Sequence, residues 1–282
     1  MDSKLANPLH KYFRQPAIYL KLPSGGQYWP EDAIKLPVNG EIPVYPMTTR
    51  DEITLRTPDA LINGAGVVSV IHSCCPDITD AWRMPSIDVD AVIIAIRIAS
   101  YGNTMSFTSQ CPKCSTIHDY GLDLQQTLSR IRMPDYHIPA NVEGLKIKLY
   151  PQPYFATNQS NQIQFEQQKL IQAIQDTELS DEIRSVEIKK HMEKIVELGI
   201  LNLTNSTEYI EMPDGTRVDN KEHLIEFYSN CSSSISKQVN EHLVEFNRVG
   251  AVPSLPVNCT ECNHPFEIEI TFDFASFFEE GF

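Results

Sequence analysis

The chain lacks any long apolar run. No segment approaches the ~20 consecutive apolar residues that span a bilayer. The best run, Val89 to Ala99, is interrupted by Asp90 and Arg97. The first sixteen residues, MDSKLANPLHKYFRQP, contain no apolar stretch of the kind a secretory leader needs, so synthesis and retention in a reducing cytosol are expected. Positive charge is scarce: 23 Lys and Arg stand against 37 Asp and Glu, a net charge of −14. Phosphate-backbone recognition needs clustered cations, so nucleic-acid binding is not the expected main activity. Catalytic signatures are also missing. HExxH, GxSxG and DxDxDG do not occur, and Ser24-Gly25-Gly26 lacks the GxxxxGK[ST] pattern of a phosphate loop.

What is present suits a packed protein. Hydrophobic residues make up 41% and charged residues 21% of 282 positions, enough for one or two domains. Residues 1 to about 50 carry Pro16, Pro23, Pro30, Pro37, Pro43 and Pro46, which excludes a long helix there. Short strands fit between them, at Ala17–Leu22 and Ile42–Tyr45, with a glycine turn at 23–30. Residues 51 to 102 read as helical. Thr57 and Pro58 suit a helix start that ends at Asn63-Gly64. Val67 to Cys75 makes a second helix. Ser86 is expected to cap a third, with Asp88 and Asp90 against its positive end, and its apolar residues on most faces predict a core helix.

Residues 104 to 124 alternate like two strands around a turn, and 142 to 150 like one more. Two amphipathic helices are expected over 155 to 204. The first would use Ile163, Leu170, Ile171 and Ile174, the second Ile183, Val186, Met192, Ile195 and Val196. A hairpin over Tyr209 to Val218 turns at Pro213-Asp214-Gly215. Helices follow from Asn220 and over about Ser234 to Arg248.

The strongest chemical signal is a repeated strand–CxxC–strand unit, at Cys111/Cys114 and at Cys259/Cys262. A CxxC turn points two thiolates at one metal, and two such turns complete a tetrahedral Cys₄ site. Ribbon pairs ordinarily lie about 15–20 residues apart, so this is a ribbon split by a large insertion. A single structural zinc is expected, with no open position for water. The alternative is a pair of redox dithiols, but such a motif opens a helix, whereas strands follow both pairs here. Asn263, after the second pair, tolerates the left-handed conformation of a metal knuckle. His118 and His264 stand near the cysteines as alternative ligands or as surface residues. Cys74, Cys75 and Cys231 read as small buried hydrophobes. The aromatic terminus, with Phe272, Phe274, Phe277, Phe278 and Phe282, suits either docking to a partner or packing on its own domain.

Four ordered segments carry a resemblance: LKLPSGGQYWP (20–30), VYPMTTRDEITLRTPDALING (44–64), VIHSCCP (70–76) and DVDAVIIAIRIASYG (88–102). With the CxxC pairs, the chain resembles the hub-associated baseplate proteins of T-even-type contractile-tailed bacteriophages. The resemblance is closest over 18–124 and returns from Cys259 to the Phe-rich end; the middle does not match. It implies a structural, non-enzymatic part of the tail baseplate hub in the virion, assembled in the host cytoplasm. Its partners would be other phage tail proteins in a symmetric multi-copy assembly, with no nucleic acid and no membrane. An assembly factor absent from the finished particle and a nucleic-acid-binding zinc ribbon are the competing readings. The expected fold class is α+β: a β-rich N-terminal segment, a helical core and a split zinc ribbon joining the middle to the C-terminal part. The expected organisation is residues 1–140 with the first CxxC hairpin, a mainly helical insertion at 141–250, and 251–282 completing the first domain.

Overall fold

The computed structural model describes residues 8–57, 64–175, 181–270 and 277–278. It is an α+β fold of small antiparallel sheets around a buried helix. After a 3₁₀ turn at Pro8–Tyr12, strands β1 (Ile18–Lys21) and β2 (Glu41–Val44) pair antiparallel, Ile18 opposite Val44. Alternation turns Leu20, Ile42 and Val44 inward.

Helix α1 (Thr49–Leu55) begins earlier than the sequence suggested. Thr48 caps it, and Thr48 and Asp51 bond reciprocally in a capping box. The helix expected to start at Thr57-Pro58 falls on 58–63, outside the described residues. Helix α2 (Ala65–Cys74) follows Gly64, whose φ of 73° and close approach to the Asn158 amide leave no room for a Cβ.

Helix α3 (Ser86–Tyr101) lies in the core as expected, buried from Ile87 through Ile98 except at Asp90. Its start differs from expectation. Pro85 occupies the cap position, and Ser86 is the first helical residue, its N–H donating to Gln152 O at 2.8 Å. Asp88 does not sit at an exposed helix end. It is buried and accepts from Ser24 N–H (2.9 Å), Ser24 Oγ (2.5 Å) and Trp29 Nε1 (2.7 Å). The glycine turn at 23–30 is thereby tied to the core helix.

Strands β3 (Thr104–Gln110) and β4 (Ile117–Asp123) form the first CxxC hairpin. Asp123 then caps the short helix α4 (Leu124–Arg130). The segment beyond Ala140 contains a sheet as well as helices. Strands β5 (Ala140–Val142), β6 (Leu145–Leu149), β7 (Thr207–Glu211) and β8 (Arg217–Val218) are ordered β5-β6-β7-β8. Helices α5 (Tyr154–Gln175) and α6 (Asp181–Asn205) are inserted between β6 and β7 and pack on each other. A buried bond of 2.7 Å joins Gln167 to His191 across them. Several apolar residues assigned to buried faces here are exposed: Leu170, Val186, Met192 and Val196. Two helices that chiefly cover each other leave the outer part of each stripe in solvent. Helices α7 (Lys221–Asn230) and α8 (Ser233–Gly250) follow, capped by Asn220 and Ser232. Strands β9 (Leu255–Asn258) and β10 (Pro265–Ile268) form the second CxxC hairpin.

Two hydrophobic clusters result. The larger gathers β1, β2, α2, α3, Leu122 and Leu124, together with Phe277 and Phe278. The smaller gathers β5–β7 with Leu203, Leu224, Tyr228 and Val239, and reaches α3 at Ile87. The buried guanidinium of Arg97 lies 5.2 Å from the Phe277 ring centre and 5.4 Å from that of Tyr101. Two of the five terminal phenylalanines are therefore in the chain's own core; Phe272, Phe274 and Phe282 lie outside the described residues. No helix among the described residues is long and apolar enough to cross a membrane.

Candidate metal centre

Each CxxC turn is built by the same backbone bonds. In the first, Cys111 N–H donates to Thr116 O (2.9 Å) and Ser115 N–H to Cys111 O (2.9 Å). In the second, Cys259 N–H donates to His264 O (3.0 Å) and Asn263 N–H to Cys259 O (2.9 Å). The residue after the second cysteine is left-handed in both, Ser115 at φ 58° and Asn263 at φ 55°. The asparagine was legible in the sequence, because its side chain tolerates this region. Ser115 carries no such signal and is found only by matching the two turns.

The hairpins face one another. Cys111 Sγ lies 3.7 Å from Cys262 Sγ, and Cys114 Sγ lies 3.5 Å from Cys259 Sγ. All four sulfurs fall within 4.8 Å of one another. Zinc–thiolate bonds of about 2.3 Å in a tetrahedron place sulfurs about 3.8 Å apart, so the four cysteines fit one ion. These contacts are well beyond a disulfide bond length of about 2.05 Å. They run between the hairpins, which is the pattern of a shared ligand set. Neither His118 nor His264 belongs to the cluster.

The local electrostatics favour a cation. Hydrogen bonds from the Thr116 hydroxyl and backbone N–H, followed by those of neighbouring thiols, bring Cys114 down to about 6. Desolvation, and then sharing with the other three sulfurs, pushes Cys262 up to about 12. One thiolate among four crowded thiols discourages the next, and a divalent ion reverses that repulsion. Tyr120 lies near the four cysteines. It is buried, its ring meets Phe266 of the other hairpin edge-on at 5.8 Å, and desolvation and the nearby cysteines raise its phenol. Thr116 and Tyr120 belong to the site, yet only the folded hairpins reveal them. Cys74 and Cys75 lie elsewhere, fully buried in the large cluster. Burial pushes Cys74 up to about 12 and Cys75 well above the usual thiol range, which makes both inert.

The model of the T4 bacteriophage base plate protein family matches residues 16–279. The chain belongs to this family. No curated protein and no solved structure matches it. Membership in the T4 base plate family makes the chain a phage baseplate protein, associated with the tail of the virion and with other tail proteins. The match runs through residues 125–258, where the resemblance seen in the sequence was lost. The middle helices and the β5–β8 sheet are therefore part of the base plate protein and not foreign to it.

Proposed function

We propose that this base plate protein is a structural, non-enzymatic subunit of the baseplate hub region, acting through protein–protein contacts and held in shape by one zinc ion. The family match across 16–279 carries this reading. Zinc is favoured by the donor set: four cysteine sulfurs at tetrahedral spacing, with the coordination sphere closed by protein. Cys111, Cys114, Cys259 and Cys262 would hold the ion as thiolates, and its chemistry there is charge neutralisation and crosslinking. The closed sphere leaves no position for a reacting water, which supports a structural site. The net charge of −14 favours protein partners over nucleic acid. The same cysteines support the proposed organisation: residues 251–282 complete the 1–140 domain, while 141–250 is carried as an insertion. The baseplate setting supports multi-copy use in a symmetric assembly, put together in the host cytoplasm.

Quantitative mass spectrometry of purified particles tests the role. A fixed stoichiometry relative to other tail proteins is expected. Absence from particles, with abundance in infected-cell lysate, would replace the subunit by an assembly factor.

A further inference from the structure

Asp88 and Asp90 lie two positions apart on α3, and only one of them is satisfied. Asp88 has its three donors. The Asp90 side chain makes no hydrogen bond and no ion pair with the described residues. It sits beyond the first turn of α3, past the free N–H groups of the helix start. It is half-buried, and its exposed part faces a cavity of about 370 Å³. Burial raises its carboxyl above the usual range, with nothing opposing.

The cavity lies where α3, α5, α6 and α8 converge. Asp90 is the one charged residue among the described residues that line it. The rest of the polar wall is neutral amide and hydroxyl and includes Asn161, Asn202, Asn240, Asn247 and Ser160. Ser160 Oγ donates to Asn202 Oδ1 at 2.6 Å, while the side chains of Asn161, Asn240 and Asn247 make no hydrogen bond with the described residues. An isolated carboxylate in such a place calls for a cation. Ca²⁺ would want six or more oxygens with several carboxylates, and Mg²⁺ on one aspartate would stay mostly hydrated and gain little from the amide wall. A guanidinium fits better. Its planar fork can meet the carboxylate while its other N–H groups reach amide oxygens, and Tyr150 and Val244 offer surface to the stem.

We propose that this cavity is a guanidinium-binding site, with Asp90 as its anchor, that receives an arginine side chain of a neighbouring tail protein. Only the source of the arginine rests on the baseplate reading. The strongly negative chain would draw such a basic segment toward it.

The test is an NMR or calorimetric titration of the full, metal-loaded protein with Nα-acetyl-argininamide, in which the guanidinium is the sole charge. Its neutral isostere, Nα-acetyl-citrullinamide, is the control. Saturable binding at the α3–α8 cavity is expected, at least tenfold weaker for the citrulline compound and for Asp90→Asn. Val244→Trp, at the exposed rim, keeps Asp90 and should block entry; it decides the matter should Asp90→Asn fail to fold. Equal binding of both compounds, or undiminished binding in a folded Asp90→Asn or Val244→Trp protein, would overturn the proposal. The titration reads the cavity alone, whereas particle mass spectrometry reads the baseplate role, so the two fail separately.

Discussion

Burial raises the carboxyls of both Asp88 and Asp90 on the core helix, but only Asp88 has hydrogen-bond donors that oppose the shift. Asp88 holds the 23–30 turn through Ser24 and Trp29. Asp88→Ala would leave two N–H groups and a hydroxyl without an acceptor. The expected loss is about 3 kcal/mol, read as a lower urea midpoint with a changed Trp29 fluorescence. Asp90 should respond with the reverse sign. Its folded-state carboxyl is raised by burial, so its contribution is best below the unfolded carboxylate range, near pH 4, and is lost as pH rises through the folded value. The lining of its cavity offers no second charge, and on α5 only the phenol of Tyr154 feels it, raised to about 12 by burial and then by Asp90. Asp90→Asn should therefore be more stable than the parent at pH 7, with the gain fading toward pH 4. Thermal melts of both proteins across that window check it; a gain that grows on acidification would contradict the assignment. The sequence showed both acids near a helix start, but not which one has partners. The partners of Asp88 are some sixty residues away.

At the scale of the element, the two knuckles are copies with different tolerance. Ser115 pays a conformational penalty that Asn263 largely avoids, since a serine side chain is poorly suited to φ 58°. Ser115→Gly should raise the melting temperature of the metal-loaded protein, by an amount corresponding to about 1 kcal/mol; no change would mean the turn is not left-handed in solution. The C-terminal aromatic element acts inward at the described positions. Phe277 is almost fully buried against Arg97 and Phe278. Phe277→Ala should cost about 3–5 kcal/mol in a denaturant titration, far above the few tenths expected of a surface residue. Helix periodicity located α5 and α6 well. It did not say how much of each stripe the fold would cover, because that depends on what lies opposite.

Across the whole molecule, the cysteine cluster joins residues 111 and 259, which lie far apart along the chain. Closing so long a loop with a metal would tie the two hairpins into one cooperative unit. One zinc per chain is expected from elemental analysis. Four thiols should become reactive on chelation, in place of free reactivity in the loaded protein. Cys114→Ser and Cys262→Ser should destabilise to a similar extent. The double variant should be little worse than either single one, since each removes the same ion. Additive losses in the melts would indicate two independent dithiols.

The repeated CxxC spacing nominated the four cysteines and determined the two knuckles, because a knuckle is a local structure whose residues specify it. The prolines, caps and periodicities likewise determined the α+β class and most elements, since these too are decided within a few residues. Only the tertiary structure decided the rest. It brought the two hairpins together, surrounded Asp88 with donors while leaving Asp90 without any among the described residues, and turned Phe277 inward onto Arg97. Each of these depends on contacts between residues distant in the chain, and an isolated segment carries no record of what will be packed against it.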